Sequence, residues 1–155
     1  MEKGAMFLEI AKKAHEDLSR HYHDLHNDIP HMKPTEDKEW IKKYGTDRVD
    51  IAGVDYFSLP SDWQRERLLG AKIALEAVIG FAKEPLSLDS SFVEKISEIL
   101  HSRWLDRNNL RADETQKLPY AQLPESEKEK DRFFVRRAIE AYLIGKQEVV
   151  FDTAR

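Results

Sequence analysis

The chain contains no cysteine. That excludes disulfides, thiolate metal sites and cysteine nucleophiles together. Glycine and proline number only 6 each among 155 residues. So few turn formers favour helices over a turn-rich β architecture. No apolar run approaches the roughly 20 residues of a membrane-spanning helix, so no membrane partner is expected. The N-terminal stretch MEKGAMFLEIAKKAHED holds a short apolar patch ringed by charge. It lacks the apolar core and small-residue cleavage site of a secretory signal, and a cytoplasmic location is the expectation. A dominant charge is missing too: 25 Lys and Arg stand against 29 Asp and Glu, a net −4. General nucleic-acid binding would need a basic face. Also absent are a glycine-rich phosphate loop, a Walker motif and a Gly-x-Ser-x-Gly elbow. The chain therefore reads as a non-enzyme, and no cofactor is expected.

What is present suits a helical core. Hydrophobic residues make up 41%, with 7 Phe, 5 Tyr and 3 Trp. Four amphipathic helices are predicted over 3–26, 62–82, 91–107 and 126–145, each with apolar residues three or four apart. Ser61 with Gln64, Ser91 with Glu94, and Ser126 with Glu129 have capping-box spacing. NDIPHMKPTEDKE reads as a loop. EWIKKYG reads as a short helix ending at Gly45. TDRVDIAGVDYFSLP reads as extended chain with a brief strand near Val49 to Ile51. KEPLSLDS links two halves, and 147–155 form a short tail.

The halves resemble each other. YFSLPSDWQRERLLGAKIALEAVI (56–79) aligns with YAQLPESEKEKDRFFVRRAIEAYL (120–143) at one constant offset. Tyr56 meets Tyr120, Leu59 meets Leu123, Pro60 meets Pro124, and Ala74, Glu76 and Ala77 meet Ala138, Glu140 and Ala141. Upstream, IAKKAH (10–15) pairs with ISEILH (96–101). Helical periodicity does not demand a shared Tyr-x-x-Leu-Pro entry, so the expectation is one unit present twice, the first copy carrying the longer loop. The predicted fold is all-α: two related helix-loop-helix repeats, 1–82 and 89–146, packed as a compact four-helix domain with long ordered loops.

In the second half, LHSRWLDRN is followed by LPYAQLPESEKEKDR. His101, Trp104, Arg107, Pro119, Tyr120, Leu123, Pro124, Glu127, Lys128, Asp131 and Arg132 together resemble the ryanodine receptor repeat, or RyR domain, in its prokaryotic or phage form. The first half is a weaker match through His15, Tyr56, Leu59, Pro60, Trp63 and Arg67. Many members carry a Gly-Trp-x-Tyr-Gly stretch where this chain has NNLRADETQK; if that stretch forms the family's ligand pocket, the pocket here is altered or absent. The resemblance implies a helical fold of paired repeats and recognition of a nucleotide-like ligand, without catalytic residues.

Physical chemistry gives the same residues a use. His101 and Trp104 share a helix face, as do Arg103 and Arg107. An indole can stack on a purine, and a guanidinium fork suits phosphate. The expected ligand-binding set is Trp63, Arg67, His101, Trp104, Arg107, Tyr120 and Arg132, in a cleft between the repeats. PESEKEKDRFFVRR admits a plainer reading as a solvated helix start with i,i+3 pairs Glu127–Lys130, Lys128–Asp131 and Glu129–Arg132. One rival reading is a protein-interaction or structural module with no small ligand.

A second rival, a helical metal-dependent hydrolase, rests on HYHDLHND (21–28). On a helix, His23 and His26 could share a metal, while Asp17, His21, Asp24 and Asp28 fall on another face. There is no His-Glu-x-x-His motif, and the Glu-x-x-His of EILH (98–101) has no second copy. No metal site is expected; the cluster reads as a polar helix end.

Overall fold

A computed structural model describes residues 2–27, 30–82, 89–110 and 112–153. Among them the chain is all-α, with one two-stranded ribbon. Helix α1 spans Lys3–His26, α2 Lys38–Tyr44, α3 Ser61–Phe81, α4 Ser90–Asn108 and α5 Glu125–Thr153. Strands β1 (Met32–Pro34) and β2 (Arg48–Asp50) pair antiparallel, with Lys33 opposite Val49. No described helix is long and apolar enough to cross a membrane.

Helix α1 packs on α3 and α5, and α4 packs on the same two. Their apolar stripes meet in one core. Ile10, Ala14 and Leu18 come from α1, Ala71, Ala74, Leu75 and Val78 from α3, Ile96 and Leu100 from α4, and Val135 and Ala138 from α5. Small residues bring α3 and α5 close. A Cβ built on Gly70 would stand only 3.0 Å from the Phe134 ring.

The helix ends differ from the predicted capping boxes. Pro60 precedes α3 as its N-cap and offers no side-chain cap, while the Ser61 N–H donates to Asp37. Asp89, not Ser91, caps α4 by accepting from the Phe92 N–H. Helix α5 starts before Ser126, and Glu129 pairs instead with Arg136 at 2.7 Å. A proline's fixed φ already suits a helix entry, and longer-range partners claim the glutamates. The short helix ends as expected, with Gly45 left-handed at φ 72°. Within the segment read as a loop, 32–34 form β1, because β2 supplies a partner that local sequence cannot reveal. The predicted tail differs too, since 147–153 continue α5. Most of the KEPLSLDS link lies outside the described residues.

Both halves enter their second helix in the same way. Tyr56–Ser58 and Tyr120–Gln122 form 3-10 turns. Leu59 N–H donates to the Tyr56 carbonyl, as Leu123 does to Tyr120. His15 Nε2–H donates to the Val54 carbonyl at 2.8 Å, and His101 Nε2–H donates to the Leu118 carbonyl at 2.8 Å. Val54 and Leu118 each stand two residues before the turn tyrosine. The histidine and its acceptor are 39 residues apart in the first half and 17 in the second. The first half uses its extra length for β1, α2 and β2.

Candidate ligand-binding cavity

A cavity of 430 Å³ opens between α1, α3, α4, α5 and the β1 segment. That falls within the usual range of small-molecule sites. Five of the seven predicted residues line it: Trp63 and Arg67 from α3, and His101, Trp104 and Arg107 from α4. Trp63 is oriented by its own N–H, which donates to the Pro34 carbonyl at 3.0 Å. Trp104 and His101 lie nearly parallel, 6.4 Å between centroids at 14°. Trp104 is therefore neither fully core nor fully exposed; it borders the cavity.

Arg67 is only 8% exposed. Its guanidinium stands 5.7 Å from the centre of the Trp63 ring. Nε and Nη2 are buried and, among the described residues, have no hydrogen-bond partner. Burial lowers its pKa, against weaker support for the charge from Tyr22, Glu66 and Tyr56. The other cavity cations with resolved contacts are neutralised by protein. Arg107 donates from Nε and Nη2 to Glu66 at 3.3 and 3.1 Å, and Lys130 donates to Glu127 at 3.0 Å. The Lys130 ammonium also stands 5.1 Å over the Tyr22 ring, which stacks on His31 at 4.1 Å.

Tyr120 and Arg132 lie apart from this cavity. Tyr120 donates to Glu94 Oε2 at 2.8 Å, and Arg132 Nε donates to Glu94 Oε1 at 2.6 Å. Arg132 also reaches Glu125 at 2.7 Å. Burial pushes the Tyr120 hydroxyl up to about 12, and the Glu94 carboxylate beside it adds to that. Burial would raise Glu94, but its bonds from Arg132 and Tyr120 prevail and lower it. These two residues lock α4 to the turn and to α5. Their predicted partners change accordingly: of the i,i+3 pairs, Glu127–Lys130 forms, while Arg132 takes Glu94 and Glu125, and Lys128 takes Glu125 at 3.6 Å.

The histidine-rich stretch serves packing. His21 Nε2–H donates to the Ser126 carbonyl at 2.9 Å, and His23 Nε2–H to the Ala52 carbonyl at 3.2 Å. Asp17 takes a two-pronged contact from Arg137 at 2.8 and 2.9 Å. Among the described residues no three metal-binding side chains converge. Asp28 and the His26 side chain lie outside the described residues.

Tyr22, His31, Lys130 and Asp131 also line the cavity but were not in the predicted set. Asp131 had a signal. At the offset that aligns the halves it occupies the position of Arg67, as Phe134 does that of Gly70. The segment lacking the Gly-Trp-x-Tyr-Gly stretch still contributes Asn108 and Gln116 to the wall. No protein-family model matches the chain, and no curated protein or solved structure matches it significantly.

Proposed function

We propose that this protein is a non-catalytic binding module that takes a small, anionic, nucleotide-like ligand into the cavity between its halves. Arg67 carries the reading. An unmade hydrogen bond at a buried donor costs about 1–3 kcal/mol, and an uncompensated buried charge costs more. A phosphate or carboxylate in the cavity would remove that penalty. Trp63 and Trp104 offer indole faces to a base, and stacking of this kind contributes roughly 1–3 kcal/mol. Arg107 supplies a second guanidinium, which donates to Glu66.

The resemblance of 89–146 to the ryanodine receptor repeat supports the same reading, and the matching turns and histidine contacts of the halves support a duplicated unit. The cytoplasm, where nucleotides are abundant, is the location this reading expects. The test is calorimetry and thermal shift with 5′-AMP as probe, followed by di-, tri- and cyclic nucleotides. Binding by the parent protein, weakened at least tenfold by Arg67→Met and by Trp104→Ala, is the expected result. If no nucleotide in the panel binds, the reading is rejected. Self-association by light scattering without nucleotide would then favour the interaction module.

A further inference from the structure

We propose that the cavity selects its ligand by phosphate count, taking a nucleotide with one phosphate in preference to its di- and triphosphate. The inference rests on the nucleotide-binding reading above and adds how much negative charge the cavity accepts.

The cavity wall is balanced in charge. Among the described residues, its basic side chains are Lys33, Arg65, Arg67, Arg107 and Lys130. Its acidic side chains are Glu36, Asp62, Glu66, Glu127 and Asp131. The two groups are equal in number, so with histidine counted neutral the wall has no net formal charge. Burial pushes Asp131 up to about 8; with its proton in place, the wall has one positive charge in excess. The chain as a whole carries a net −4, so no long-range field gathers polyanions toward the cavity.

The two signs are interleaved. On α3, Asp62 and Glu66 stand one turn apart, as Glu127 and Asp131 do on α5. Asp62 accepts from the Thr35 hydroxyl at 2.6 Å and from the Glu36 N–H at 3.0 Å, which brings Glu36 to the same side of the cavity. Arg107 donates to Glu66, and Lys130 to Glu127. Arg67 differs: it is buried, and its Nε and Nη2 have no partner among the described residues. One buried guanidinium without a carboxylate matches one anionic group. A second and a third phosphate would meet a wall whose other cations are at least equalled in number by carboxylates.

Movement of side chains does not lift this limit. Opening the Arg107–Glu66 pair releases a guanidinium, but the carboxylate stays on the wall beside it. The fixed charge of the wall is unchanged by any exchange of partners within it. Each phosphate added to a nucleotide brings about one further negative charge. Over the few ångströms of a cavity, and away from bulk water, such a charge is felt strongly.

The experiment is calorimetric titration with 5′-AMP, 5′-ADP and 5′-ATP at pH 7 with EDTA, in about 50 and about 300 mM salt, on the parent protein and on Glu66→Gln. Affinity is expected to fall stepwise from 5′-AMP to 5′-ATP, by about tenfold or more at the lower salt. Higher salt should narrow the gap, because it screens the repulsion. Glu66→Gln removes one carboxylate from the wall and should raise the affinity of 5′-ATP more than that of 5′-AMP. Binding of 5′-ATP as tight as that of 5′-AMP overturns the inference and leaves the cavity reading standing. So does a preference for 5′-AMP that neither salt nor Glu66→Gln alters, since size and not charge would then set the limit. Binding of none of the three overturns the inference together with the reading it rests on. The salt series on the parent protein decides the matter even if Glu66→Gln fails to fold.

Discussion

Arg67 and Asp131 are held at a cost to the folded state, and both costs are measurable without ligand. Replacing Arg67 by methionine keeps much of the side-chain length and removes a buried charge whose Nε and Nη2 lack partners among the described residues. Apolar replacement of such a charge is neutral or stabilising. Arg67→Met should therefore raise stability by about 1–3 kcal/mol in urea unfolding while abolishing tight nucleotide binding. Asp131 acts through its proton. Its folded pKa lies above the ordinary aspartate value near 3.9. Its contribution is thus fully present below that value and is lost as pH rises through about 8. Asp131→Asn should be more stable than the parent at pH 9 and should flatten the alkaline limb of stability against pH. Glu94 behaves oppositely. Its folded pKa is lowered by Arg132 and Tyr120 after burial is overcome. It stabilises above the unfolded value near 4.3 and loses that contribution as pH falls through the folded value. About a third of its side chain is exposed, so screening reduces its weight. Glu94→Gln should cost about 1–2 kcal/mol at pH 7, read by denaturant melts, with a smaller penalty at pH 3.

At the scale of elements, the two Leu-Pro helices cross where Gly70 meets Phe134. Both residues line the cavity. Adding a methyl at Gly70 would bring it to 3.0–3.3 Å from the Phe134 ring. Alanine favours a helix over glycine by about 1 kcal/mol, but overpacking costs about 1–3 kcal/mol. Gly70→Ala should lower stability by about 1 kcal/mol net and displace the ring toward the open space beside it. Nucleotide affinity should fall, and Phe134→Leu in the same chain should recover stability. The Leu-Pro turns are held from outside their own sequence, by His15 and His101 reaching carbonyls two residues before each turn tyrosine. Histidine in this protein is chiefly a fastener between a helix and a loop.

For the whole molecule, an ion pair from Arg107 to Glu66 joins the halves at the cavity. The contact is two-pronged, yet both side chains are partly exposed, 30% and 28%. Such pairs contribute about 0.2–1 kcal/mol. Glu66→Gln should therefore change stability little. It should free Arg107 and strengthen binding of phosphate-bearing ligands several-fold, with a steeper salt dependence seen by calorimetry at 50 and about 300 mM salt. A ligand that never approaches Arg107 would show no such gain.

Local sequence determined the helices, because three-to-four spacing of apolar residues and the Leu-Pro entries act within a few residues of each other. Trp63, Arg67, His101, Trp104 and Arg107 were worth following through their residue types and the resemblance to the ryanodine receptor repeat. Only tertiary structure decided that these five share one cavity while Tyr120 and Arg132 close around Glu94. The five sit on α3 and α4, while Tyr120 lies in the second 3-10 turn and Arg132 on α5; which side chains meet depends on how α3, α4 and α5 pack. The same packing put Asp131 on the cavity wall and gave its neighbours Lys130 and Arg132 protein partners. An ion pair within one helix competes on nearly equal terms with one between helices, so no spacing rule within a single helix could have separated them.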